Sequence, residues 1–172
     1  MNIHDDILML RALEPTDLDE LYQWENDVDL WHTSATITPF SRKQLWDYIE
    51  NYDGDIYRTR QLRLMIVEIL TNQPIGTIDL YDFDPVNSRA NVGILIDKRF
   101  QGEGYGKRAL MLLETYCHKH ISLNQLVATV AIDNEASLLL FRSLGYIEVG
   151  QMKWWLKRGH QYCDAILFQK RI

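Results

Sequence analysis

The 172-residue sequence predicts an α/β domain of the α+β type, with helices packed on one mixed, mostly antiparallel sheet. Three observations carry that prediction. The runs "LRLMIVEIL" (62–70), "PIGTIDLY" (74–81) and "ANVGILI" (90–96) read as strands, and the short segments "TNQ" and "DFDPVNSR" between them suit an antiparallel meander. The stretch "FQGEGYGKRALMLLETYCHKH" (100–120) then packs three glycines into five residues and has none afterwards, as a bare loop opening a helix would. Finally, helical and extended patterns alternate through the rest of the chain, with no repeat, low-complexity tract or Pro/Ser-rich linker to mark a second domain.

Each element follows in order. "ILMLRAL" (7–13) is a first strand. "EPTDLDELYQWEND" (14–27) is a helix, with Pro15 near its start and leucines at helical spacing. "SRKQLWDYIENY" (41–52) is a second helix, with Ser41 as its N-cap. After the meander, a long helix runs from Gly104 to His118, with Leu110, Leu113 and Cys117 as its inward stripe. "QLVATVA" (125–131) is another strand, and "NEASLLLFRSLG" (134–145) a helix closed by Gly145 as its C′ residue. "YIEVGQMKWWL" (146–156) and "QYCDAILFQK" (161–170) close the chain as a hairpin turning at "KRGH". The expected order is β-α-α-β-β-β-α-β-α-β-β in a single domain, 1–172.

Composition narrows the function. A chain 47% hydrophobic and 24% charged argues against disorder, and its longest apolar runs fall far short of a membrane span. The beginning "MNIHDDILML" carries acids where a secretion signal carries lysine or arginine, so the expected location is the cytoplasm. A net charge of −6 and a pI near 5.3 disfavour nucleic acid as a partner. Cys117 and Cys163 lie far apart with no CxxC spacing, and read as reduced thiols. His118 and His120 are two apart on a helix and cannot share one ion, so no metal site is expected. Residues 1–30 hold nine acids against one base, Arg11. That excess reads either as a solvated helix face or as a field for cationic substrates.

The glycine loop fails two familiar phosphate patterns. A Walker A motif needs G-x-x-x-x-G-K-[ST], but Arg108 follows Lys107 and Gln101 stands where the first glycine belongs. A dinucleotide fingerprint needs a third glycine where Lys107 stands. What remains is Q-x-x-G-x-G, formed by Gln101, Gly104 and Gly106 between a strand and a helix. With "DNEASLLLFRSLGY" (133–146) downstream, the chain resembles the GNAT superfamily of acyl-CoA-dependent N-acyltransferases, and its hairpin "GQMKWWLKRGHQYCDAILF" (150–168) resembles that of the ribosomal-protein and bacterial spermidine N-acetyltransferase branch. The element order resembles that family nearly end to end.

The resemblance implies acetyl-CoA as cosubstrate and direct attack by an amine, with no acyl-enzyme. Its pyrophosphate would lie on Gln101, Gly102, Glu103, Gly104, Tyr105, Gly106 and Lys107. Its pantetheine arm would run along the backbone of Ile94, Leu95 and Ile96 as an added strand does. Asn134 matches a cofactor-contacting residue of the family and is equally readable as a helix N-cap. Phe141 occupies the family's general-acid position, where a tyrosine is usual, and Asn91 the place of a frequent glutamate. Candidate replacements lie on the strand 74–81, whose alternation puts Thr77, Asp79 and Tyr81 on one face. Asp79 is the candidate base, acting through water, and Tyr81 or Tyr105 the candidate donor. Asp82 aligns near an acid that binds polyamine or metal in the spermidine enzymes. The acceptor would be a polyamine, another small amine or a protein N-terminus. It would sit between the N-terminal helices, the loop "WHTSATITPFS" and the hairpin, with Trp31, Trp46, Trp154 and Trp155 as candidate lining. Adjacent on a strand, Trp154 and Trp155 are expected on opposite sides, one in the core and one at a homodimer contact. The reading from another class is a CoA-binding sensor that has lost turnover.

Overall fold

The computed structural model describes residues 3–28, 30 and 38–172. Among these residues, eight strands form one sheet in the order β1-β2-β3-β4-β5-β6-β8-β7. They are β1 (Ile3–His4), β2 (Leu8–Arg11), β3 (Leu62–Glu68), β4 (Gln73–Asp84), β5 (Arg89–Ile96), β6 (Gln125–Ala131), β7 (Ile147–Arg158) and β8 (Gln161–Arg171). The helices are α1 (Leu18–Glu25), α2 (Arg42–Glu50), α3 (Ile56–Thr59), α4 (Tyr105–Tyr116) and α5 (Glu135–Ser143). β5 and β6 are parallel and every other neighbouring pair is antiparallel. No helix among the described residues is long and apolar enough to cross a membrane.

Strand alternation builds two cores, one on each face of the sheet. Leu62, Leu64 and Ile66 of β3 join Ile78 and Leu80 of β4 in the larger core, with Leu110 and Leu113 of α4 and Phe141 of α5. Met65 and Val67 point the other way and pack with Leu21 and Trp24 of α1 and Ile49 of α2. Two buried carboxylates hold α1 in place. Asp17, 1% exposed, accepts from both terminal nitrogens of Arg11 at 2.7 Å and from the Glu14 amide. Asp97, just after β5, accepts from the Trp24 indole at 2.8 Å and from Arg99. The Arg99 guanidinium holds the Asp97 carboxyl well below the usual range.

The caps match their sequence signals. Ser41 and Gln44 form a reciprocal capping box on α2. Gly145 takes φ +79° after α5, and the amide of Tyr146 reaches back to Phe141 O. Several expectations need correction. The first helix begins as a 3₁₀ turn, Pro15–Asp17, and β1 and α3 were not anticipated. The long helix stops at Tyr116 and widens into a π turn, Cys117–Ile121. Trp154 and Trp155 do not divide between core and surface: they are 74% and 58% exposed. Pairing shifts between Met152 and Leu156, so simple alternation fails there, and Trp154 adopts φ +51°. Of the nine N-terminal acids, Asp5 and Asp6 pair with Arg108, Asp17 with Arg11, Asp19 with Arg42, Glu25 with Arg63 and Asp27 with Lys98. These six serve scattered contacts.

Gly76 sets how closely β4 approaches β5. A Cβ there would lie 2.0 Å from the Leu95 carbonyl oxygen. Gly76→Ala must therefore push the strands apart, and we expect a loss of roughly 1–3 kcal/mol in denaturant unfolding, as overpacked sites show.

Candidate active site

The sheet opens between β5 and β6. Their parallel pairing covers Arg89–Asn91 against Gln125–Val127 and goes no further. Beyond it, Ile94, Leu95 and Ile96 are half-buried although β5 is a central strand, so their backbone edge is open to a ligand. The glycine loop closes one end of this opening. Gln101 Nε2 donates to Ile96 O at 2.8 Å and ties the loop to the strand end. Gly102 and Gly104 take φ +86° and +80°, a region costly for any residue with a Cβ, and added Cβ atoms there would enter open space. Gly104 then stands as the N-cap of α4 and supplies no side-chain acceptor. The first amides of α4 thus lack the usual polar cap and are available to an anion.

The neighbouring residues fit a cofactor carrying a pyrophosphate and amides. Gly102, Glu103 and Lys107 are exposed around the loop, and Lys107 has no ion pair among the described residues. A Cβ on Gly106 would make ordinary contacts with Ile94, Ile96 and Leu140, which places the first turn of α4 over the end of β5 and beside α5. Asn134 caps α5 by accepting from Ser137 N at 3.1 Å. Its amide nitrogen is not used in that bond, so capping and a cofactor contact remain compatible.

The candidate chemical groups fall on the face of β4 and β5 that carries α1 and α2. A cleft of about 180 Å³ is lined by Tyr48, Gln61, Leu62, Arg63, Asp79, Leu80 and Tyr81. Asp79 does not stand alone there. Arg63 Nε and Nη2 grip its two oxygens at 2.8 and 3.2 Å, while Nη1 reaches Glu25 at 2.8 Å. Arg63 was not singled out from sequence, although a lone cation inside an apolar strand was the available signal. Burial pushes the neighbouring Tyr48 phenol up to about 12. Tyr81 is 37% exposed, and its ring edge lies 3.7 Å from where Gly93 would carry a Cβ, so the phenol lies across β5. Burial, aided by Asp82 and Asp79, raises its pKa, which keeps the hydroxyl protonated as a donor.

Other candidates are placed elsewhere. The Tyr105 hydroxyl donates to Glu68 at 2.6 Å, at the opposite end of β3 from Arg63. Phe141 is buried, with its ring edge-to-face on Tyr146 at 4.9 Å and stacked on Phe168 at 5.8 Å. It is a core residue that presents no polar atom. Trp31 lies outside the described residues. Trp46 and Trp154 are exposed and absent from the described lining of the cleft. Among the described residues, no group of three or more His, Cys, Asp or Glu is gathered as a metal site would be.

Known proteins resemble this chain in sequence and in fold. A family model described as an acetyltransferase (GNAT) domain matches residues 8–147. N-acetyltransferase p20 of Bacillus licheniformis is 27% identical over 96% of this chain and 93% of its own. Two solved structures share the fold. The ribosomal alpha-N-protein acetyltransferase RimL superposes with a TM-score of 0.85 at 22% identity, covering 100% of this chain and 94% of that one. Spermidine N-acetyltransferase of Vibrio cholerae, solved with CoA and spermine, gives 0.84 at 20% identity over 97% and 96% of the two chains.

The loop geometry yields a paired test. Gly104→Val fills the space above the α4 amides and strains a left-handed residue, so CoA should no longer raise the melting temperature. Gly106→Ala meets only ordinary contacts and should retain most of that shift. An unchanged CoA shift in folded Gly104→Val would remove the loop as the pyrophosphate site.

Proposed function

The chain belongs to the GNAT acetyltransferase family, whose members draw on acetyl-CoA, and we propose that it transfers the acetyl group directly to the primary amine of a polyamine, a small amine or a protein N-terminus. The observation that carries this reading is the open edge of β5 beyond Asn91, which runs into the uncapped N-terminus of α4. Backbone amides of the loop would hold the pyrophosphate, with Lys107 adding charge. The edge at Ile94–Ile96 would pair with the pantetheine amides. Acetyl-CoA supplies the acetyl group as a thioester.

The chain's own side chains then meet the remaining demands. Tyr81 lies across β5 with a protonated hydroxyl, suited to giving a proton to a departing thiolate. Glu25 and Asp79 bracket Arg63, and Asp82 adds a further carboxylate beside Tyr81, so the acceptor end carries more negative than positive side chains. That balance suits an acceptor arriving as a cation. Substrates named for similar proteins, spermidine and a ribosomal protein, are both amines, and they motivate the panel below.

The test is thiol release from acetyl-CoA with spermidine, spermine and peptides beginning with serine or alanine. We expect turnover with at least one of them, and a fall of roughly 10²-fold in kcat for Tyr81→Phe, within the usual range for a lost general acid. CoA binding without thiol release on any amine would instead favour a sensor.

A further inference from the structure

β4 carries one residue too many, and that residue is an aspartate. Up to Tyr81 the strands pair one for one, with Tyr81 opposite Asn91; the next pair is Asp84 with Arg89, so β4 bulges by a single residue. Asp82 sits in the bulge at φ +50°, a left-handed conformation that aspartate tolerates better than most residues. Phe83 just beyond is 4% exposed and joins the core with Ile78 and Leu80. In an unbroken strand Phe83 would share a face with Tyr81; the extra residue resets the alternation and leaves Asp82 on the same side as Tyr81. Asn91, directly across, donates from Nδ2 to Asp82 Oδ2 at 2.9 Å.

The other carboxylates nearby are committed. Asp79 is gripped by Arg63 through both oxygens, and Glu25 binds the same guanidinium. Asp84 is held by Asn87 and Arg89. Asp82 has no ion pair among the described residues, and its recorded bond uses one oxygen and a neutral amide donor. An amide can orient a carboxylate without cancelling its charge.

We propose that Asp82 takes the proton from the acceptor amine, and that Asn91 is the residue that positions it. This rests on the acetyltransferase reading above. The acceptor binds as a cation, and its attacking nitrogen first sheds one proton to solvent and becomes a free amine. Its nitrogen bonds to the thioester carbon while its N–H proton passes to Asp82, directly or through one water. The C–S bond breaks with its electron pair on sulfur, and sulfur takes the proton of Tyr81. Asp82 then releases its proton to solvent and Tyr81 recovers one, so amine and thioester become amide and thiol. The carboxylate reaches from β4 over the position of Asn91, and β5 needs no acid of its own.

The test uses the fastest acceptor of the amine panel. Asp82→Asn preserves the bulge, because asparagine accepts positive φ readily. We expect its melting temperature and its CoA-induced thermal shift to match wild type, with kcat about 10²-fold lower. Asn91→Ala should lower kcat by less, with KM for acetyl-CoA unchanged. The decisive variant is Asp82→Asn combined with Asn91→Glu, which returns a carboxylate from the opposite strand and should recover roughly tenfold. Wild-type turnover in Asp82→Asn, loss of its CoA shift, or no recovery in the double variant would overturn the assignment. A wild-type protein that binds CoA and acetylates no amine in the panel overturns the enzymatic reading itself, and this proposal with it.

Discussion

Three parallel residue pairs, Arg89–Asn91 against Gln125–Val127, join the two halves of the sheet, and the ligand-binding geometry follows from how few they are. Parallel neighbours require a crossover, and here it is the segment from the end of β5 through α4. The crossover must leave from the C-terminal end of β5, so it delivers the N-terminus of α4 to the mouth of the opening. Open strand edge and uncapped helix end are thus two results of one connection. Both leave backbone donors and acceptors unpaired, which is tolerable only where water or a ligand reaches them. The half-burial of Ile94–Ile96 in the middle of an eight-stranded sheet is the visible sign of that arrangement.

Local chemistry made much of this legible in the sequence. The glycines of the loop, Ser41 and Gly145 act within a few residues of themselves, and each stands where its pattern placed it. The contacts that decide the acceptor side act across the chain. Arg63 meets Asp79 only because β3 and β4 pair in that register, and it meets Glu25 only once α1 lies on the sheet. No periodicity announces either contact. The bulge is an intermediate case. "DFDPVNSR" reads as turn chemistry from its polar residues, yet Phe83 is apolar and out of step with Ile78 and Leu80. A single break in phase, followed by a residue that must be buried, is what an inserted bulge residue leaves in a sequence.

Arg63 also ties one acid of the N-terminal region, Glu25, to the sheet. Burial opposes its charge, but the carboxylate of Asp79 more than offsets that and raises the affinity of Arg63 for its proton. A buried guanidinium kept charged in this way requires both Asp79 and Glu25, and removal of either would leave charge uncompensated. Those two acids are therefore bound to the architecture. Phe141 is bound to it differently, since its ring fills the space between Tyr146 and Phe168. Phe141 thus offers no group that could give or take a proton, and Asn91 across the bulge acts as an amide donor to Asp82.

Two strained positions show how this fold separates structure from chemistry. Trp154 and Asp82 both take positive φ where strand pairing slips. Opposite the β7 slip, Asp164 accepts from the Trp154 amide at 2.8 Å, from Lys153 at 2.7 Å and from Gln151 at 2.9 Å. There a carboxylate is consumed in holding the backbone, and the irregular edge discourages a further strand from pairing with β7. At the β4 bulge the carboxylate belongs to the strained residue itself, and a cross-strand amide holds one of its oxygens. A bulge whose only purpose was to turn the strand would gain more from glycine, which adopts positive φ at no steric cost. The aspartate accepts that cost beside an open strand edge and a protonated tyrosine, where a carboxylate without a cation partner has chemistry available to it.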